Sequence, residues 1–248
     1  MKKKIIGICC SVLIIIGVFA VLGGISYKCG GVERYDMLST RNSSVLVNLL
    51  PQADIKDLIP KDFYKWKAIN DDVYAWIDIE DTNVHYPILQ SAFDDSFYLD
   101  HTIYKVKTLP GSIYTERINS KDFTDFNTLI YGHDMRDGSM FKHLHKFSDP
   151  EFFKTHDTIM IYTEESINEY RVYAAVAYDN RHIMYSFDQG KISERRAFID
   201  SLSEMKSSRN QYREDMTIDT DSKLITLSTC ITGQPDKRFI VVAELVEN

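Results

Sequence analysis

The chain has 248 residues, 36 acidic against 29 basic side chains, and 44% hydrophobic residues. That length allows one sizeable globular core beside a short leader or anchor. The acidic balance, with no cluster of Lys and Arg in the body of the chain, argues against phosphate neutralisation, so no nucleic acid is expected as a partner.

The chain opens with Lys2, Lys3 and Lys4, followed by 23 uncharged residues from Ile5 to Tyr27. As a helix this stretch reaches about 34 Å, against a bilayer core of about 30 Å. The lysine excess favours a cytoplasmic N-terminus and an extracellular body. A cleavable signal peptide is the competing reading, with Ala20 and Gly23-Gly24 as small residues. The run is longer than the usual apolar core of such peptides, however, and no clean small-x-small site closes it. Residues 1–28 are therefore expected to hold the lysine cluster and a single-pass anchor, touching the membrane through residues 5–27.

Residues 29–70 read as a helical linker, with apolar clusters at Val45-Leu46-Val47 and Leu49-Leu50 and punctuation at Pro51 and Pro60. After Pro60, the apolar positions Phe63, Trp66 and Ile69 suggest a short amphipathic helix with Asp62 as N-cap. From residue 71 to 248 β patterns dominate. Strand-like runs fall at 76–79, 84–89, 111–114, 128–131, 158–162, 170–178, 223–229 and 239–246. Helices are expected over 139–147 and 193–206, the latter because Phe198, Leu202 and Met205 recur at helical spacing. Many short strands with few helices indicate a mainly β fold with helices (α+β), a closed or nearly closed barrel.

Of the four cysteines, Cys230 alone lies in the body, at the end of the run Leu224-Ile225-Thr226-Leu227-Ser228-Thr229-Cys230. A lone thiol in an exported domain is either reactive or an inert core residue. A cysteine nucleophile needs a general acid/base and an oxyanion stabiliser. Among seven histidines, His133 ends the run from Asn127 and enters a polar turn, with Gly132 before it. Spacing alone does not separate it from a surface histidine. His143 and His145 form a His-x-His pair that does not share a helix face, and with no third ligand nearby a metal is not expected. Arg238 follows Cys230 across the segment 231–237, which reads as a loop; adjoining antiparallel strands would bring thiol and guanidinium to one end of the sheet.

Thr226-Leu227-Ser228-Thr229-Cys230 with Lys237-Arg238-Phe239-Ile240-Val241-Val242 resembles the active-site strand pair of the sortases. Leu129-Ile130-Tyr131-Gly132-His133-Asp134-Met135 is similar to their histidine motif. Glu80-Asp81-Thr82-Asn83-Val84-His85-Tyr86-Pro87 and Gly111-Ser112-Ile113-Tyr114 match the class B branch, as does the helix expected after Tyr185-Ser186-Phe187. The resemblance covers roughly residues 60–248.

It implies an eight-stranded sortase-like β-barrel over residues 71–248, preceded by N-terminal helices and carrying a long helix between two late strands. It further implies a membrane-anchored cysteine transpeptidase of a Gram-positive surface, with Cys230 as nucleophile, His133 as general acid/base and Arg238 as stabiliser. Substrate contacts would come from Ser228, on the Cys230 side of the strand, from Leu99 and from Tyr185. The implied partners are surface proteins bearing an Asn-Pro-x-Thr-like sorting signal and an amine of peptidoglycan or its lipid-linked precursor; no cofactor is needed. Two features depart from the pattern: the Cys-to-Arg segment is short, and Asp95 stands where a relative carries asparagine. Both bear on the peptide preference rather than the reaction. Two other readings remain open: a surface cysteine peptidase that releases its acyl group to water, and a non-catalytic scaffold on the same barrel.

Overall fold

The computed structural model describes residues 59–246. The membrane segment expected over residues 5–27 and most of the linker expected over 29–70 lie outside these residues. Among the described residues no helix is long and apolar enough to cross a membrane. The longest there, Ile192–Glu204, has 13 residues, about 20 Å of helix. The expected single-pass localisation is corrected accordingly: no described element supports it.

Helix α1 (Lys61–Ile69) starts behind Pro60, which takes the N-cap position without a side-chain cap, so Asp62 sits in the first turn rather than at the cap. An acidic side chain there still complements the helix dipole. Nine strands follow: β1 (Val73–Asp78), β2 (His85–Leu89), β3 (Ile113–Thr115), β4 (Asn127–Tyr131), β5 (Thr158–Tyr162), β6 (Ile167–Asp179), β7 (Gln211–Tyr212), β8 (Leu224–Ile231) and β9 (Gln234–Leu245). Their spatial order is β5-β1-β2-β3-β4-β8-β9-β6-β7, and β5 also pairs with β6. That last pairing closes eight strands into a barrel and leaves the two-residue β7 on the outside of β6. The expected eight-stranded barrel is therefore present. Closure leaves few open edges to pair with other chains.

Side chains alternate cleanly along β8 and β9. Ile225, Leu227 and Ile231 join Phe239, Val241 and Ala243 in the barrel interior. Leu224, Ile240 and Val242 face outward beneath α4 (Ile192–Glu204), with Phe198 and Leu202. Fully burying each of those two helix side chains stabilises by about 1.5–3 kcal/mol. Both faces of β8 are covered along most of its length, and every residue in it except Cys230 is buried. α4 lies between β6 and β7, the place expected for the long helix.

The helix expected over 139–147 is a 3₁₀ helix, Phe141–Ser148. Phe141, Leu144 and Phe147 are all fully buried. Apolar residues every third position fit a helix of three residues per turn, which stacks them on one face. Helix α2 (Pro150–Thr155) follows, its N-cap Asp149 accepting from the amides of Glu151 and Phe152. Helix α3 (Ile183–Ser186) is a single turn between β6 and α4.

Candidate active site

Strands β4, β8 and β9 are neighbours, and their relevant ends meet at one rim of the barrel. In the antiparallel β8–β9 pair Cys230 stands directly opposite Arg238. Opposed side chains share a face with Cβ atoms roughly 5 Å apart, and this face is the outer one, since Phe239 points inward. Cys230 is a free, exposed thiol.

The segment 231–237 is not the open loop expected. Ile231 pairs with Gln234, so Thr232 and Gly233 alone make the turn, with Gly233 at φ +80°, and the register slips between Cys230 and Ile231. Pro235, Asp236 and Lys237 take up the slip as a bulge, one of the few places in a sheet where proline is tolerated. Arg238 Nη1 donates to the carbonyls of Pro235 at 3.1 Å and Lys237 at 2.9 Å, so the bulge braces the guanidinium.

β4 runs parallel to β8, with Tyr131 beside Ser228. The Gly132 amide donates to the Ser228 carbonyl at 3.1 Å. Two residues further along each chain are His133 and Cys230, so the register brings both residues to the same rim of the barrel. His133 Nε2 lies 2.7 Å from the Leu99 carbonyl oxygen. A carbonyl only accepts, so Nε2 carries the hydrogen and Nδ1 is left to exchange a proton. Gly132 is required by space: a Cβ there would lie 2.5 Å from Ile113 Cδ1 and 2.7 Å from the Phe141 ring.

Of the remaining expected residues, Ser228 and Leu99 adjoin this group, whereas Tyr185 packs on His182. Leu99 ends a short 3₁₀ helix, Phe97–Leu99, with its side chain 45% exposed while its carbonyl serves His133. Ser228 is buried, on the same strand face as Cys230. Tyr185 projects from α3 with its ring centroid 4.3 Å from that of His182. His182 in turn donates Nε2–H to Glu116 Oε1 at 2.8 Å. Asp95 clamps Arg117: its Oδ1 accepts from the Arg117 amide at 2.8 Å and from Nε at 3.0 Å, and Oδ2 accepts from Nη2 at 3.2 Å. These bonds hold the Asp95 carboxyl below the usual carboxylate range.

Sequence reasoning missed the groups behind the thiol. His145 Nε2 lies 3.1 Å from the carbonyl oxygen of Cys230. Asp134 Oδ2 accepts from Thr232 Oγ1 at 2.8 Å, and Oδ1 pairs with Lys142 at 2.9 Å. Burial pushes the Asp134 carboxyl up, but the bonds from Lys142 and Thr232 and the nearby His145 outweigh it and hold the group below its ordinary range. Burial pushes the His145 imidazole below its ordinary range, against the pull of Asp134 and the Cys230 carbonyl. The His-x-His pair splits, His143 Nδ1 accepting from the Asn83 amide at 2.9 Å. His145 and Cys230 are 85 positions apart, so no local pattern announces their contact.

The family model described as the Sortase domain matches residues 77–246, nearly the whole barrel. A sortase B of Listeria monocytogenes serovar 1/2a is 34% identical over 182 residues, 73% of this chain and 72% of that protein. The crystal structure of sortase B from B. anthracis in complex with AAEK1 superposes with a TM-score of 0.65 at 30% identity, covering 76% of this chain and 85% of that one. Clostridium perfringens sortase B has the same fold, with a TM-score of 0.65 at 24% identity over 74% of this chain and 99% of that one. The domain match spans Cys230, His133 and Arg238, and the relatives agree in class; the chain belongs to the class B branch of the sortase family and is a cysteine transpeptidase of that type.

Proposed function

We propose that the chain cleaves a C-terminal sorting signal of Asn-Pro-x-Thr type on surface proteins and transfers the acyl end to an amine of peptidoglycan or its lipid-linked precursor. The catalytic unit is residues 71–248. The observation that carries this reading is the convergence of Cys230, Arg238 and the His133 segment on three adjoining strands at one rim. The Cys230 thiol gives its proton to His133 Nδ1 as the sulfur attacks the carbonyl carbon after threonine, and the Arg238 fork faces the oxygen that becomes negative. The carbon–nitrogen bond then breaks, His133 gives its Nδ1 proton to the departing amine, and a thioester to Cys230 remains. An incoming amine loses a proton to the same nitrogen as it attacks the thioester, forming the new amide and returning the sulfur. A held amine outcompetes water because positioning raises its effective concentration by orders of magnitude. Leu99 and Tyr185 line the peptide groove, and Ser228 supports the strand beside the thiol.

The test is mass spectrometry of the enzyme with a labelled sorting peptide, with and without an amine acceptor. Expected are an acyl adduct on Cys230, absent in Cys230→Ala, and a product that shifts to the amide as amine is added. Free acid at every amine concentration would instead indicate a hydrolase, and turnover surviving in Cys230→Ala would remove the thiol from the mechanism.

A further inference from the structure

The end of β8 carries a backbone problem. The Ser228 carbonyl faces β4, where the Gly132 amide meets it. Carbonyls two apart on a strand point the same way, so the Cys230 carbonyl also faces the β4 side. There β4 has ended at Tyr131, and the chain is turning through His133 and Asp134 towards the 3₁₀ helix Phe141–Ser148. The ladder has run out one rung before the thiol residue, and an unmet carbonyl at this position would leave the strand end loose.

The missing rung is a side chain. His145, from that 3₁₀ helix, brings Nε2 to 3.1 Å from the Cys230 carbonyl and to 3.6 Å from Asp134 Oδ2. Both neighbours are acceptors, so Nε2 carries the hydrogen. Its ring packs against Phe239, centroid to centroid 4.9 Å. Asp134 is almost wholly buried and also takes the Thr232 hydroxyl, two residues beyond Cys230. One carboxylate next to His133 thereby ties the histidine segment, the helix carrying Lys142 and His145, and the hairpin after Cys230.

We propose that His145 is a positioning residue for the nucleophile: its Nε2–H holds the Cys230 carbonyl in place of the absent β4 amide, and Asp134 holds His145 and Thr232 around it. This rests on Cys230 being the nucleophile. The bond fixes the backbone at the strand end and so the direction from which the sulfur attacks.

 

Losing the bond is therefore expected to slow the chemical step more than to weaken peptide binding.

The experiment compares His145→Phe, which keeps a ring against Phe239 but has no N–H, with His145→Gln, which keeps a donor. Peptide turnover is measured in the full chain beside the parent and Cys230→Ala, with thermal unfolding of each. Expected for His145→Phe is a fall in kcat of about tenfold, the size of one lost hydrogen bond, with KM and Tm close to the parent. His145→Gln is expected to recover most of the rate. Parent-level kcat in His145→Phe, while Cys230→Ala is dead, overturns the positioning role alone. Equal loss in both His145 variants also overturns it, because ring shape rather than the donor would then matter. Full turnover in Cys230→Ala overturns the nucleophile reading on which the inference rests.

Discussion

On the proposed mechanism, Arg238 and Leu99 act at the rim through different parts of themselves. Arg238 offers a planar fork already braced by the carbonyls of Pro235 and Lys237. Lysine would restore the charge without that geometry. Arg238→Lys is therefore expected to lose roughly tenfold or more in kcat, and Arg238→Ala on the order of 10²–10³, the range for removing an oxyanion donor; steady-state kinetics with a sorting peptide measure both. Leu99 serves His133 by its backbone carbonyl and exposes its side chain. Leu99→Ala is accordingly expected to raise KM and spare kcat, and a selective fall in kcat would show that the side chain orders the imidazole after all.

At the scale of elements, the loop that presents Leu99 depends on Gly111, which sits at φ +55°. A Cβ there would collide with the backbone carbonyls of Tyr98 and Leu99. Gly111→Ala is expected to destabilise by about 1–3 kcal/mol through strain at a left-handed position, lowering Tm by several degrees. It is also expected to lower kcat well below Tm, because the Leu99 carbonyl moves from His133; a Tm loss with unchanged kcat would uncouple the two. The Gly111-Ser112-Ile113-Tyr114 run was legible in the sequence as a strand start, and its glycine explains more than the strand does. β8 was legible because both of its faces are covered. The helix expected over 139–147 is present; that it is 3₁₀ was not legible, because an apolar spacing of three also fits one face of an α-helix over a short window. The segment after Cys230 was misread because Gly233 and Pro235 signal a loop, whereas the structure uses them for a two-residue turn and a bulge.

At the scale of the whole molecule, the contacts behind Cys230 tie stability to pH. His145 is held below its ordinary 6.5 by burial first, with Lys142 and Arg209 adding to it and Asp134 and the Cys230 carbonyl opposing it. A base whose folded pKa is depressed binds its proton more readily when unfolded. Its contribution is whole above about 6.5 and is lost as pH falls through the lower folded value. Asp134 behaves alike further down, below its ordinary 3.8. His143, lowered by burial and by Lys146 and Lys142, shares the upper window. The urea midpoint is therefore expected to fall between pH 7 and pH 5, and less steeply in His145→Gln; equal slopes would remove His145 from the effect. The contacts of His145 with Cys230 and of Asp134 with Thr232 were not legible in the sequence, since they span 85 and 98 positions, while the motif residues Cys230, His133 and Arg238 stood out by resemblance. The parallel β4–β8 pairing has one further consequence. Thr226 Oγ1 bonds Asn127 Oδ1 at 2.8 Å across 99 positions of sequence. Closing so long a loop comes late and slowly in folding. On the proposed mechanism, a chain still folding carries the sulfur but not its partner, so reactivity arrives only when the barrel shuts, and the enzyme is unarmed on the way to its native state.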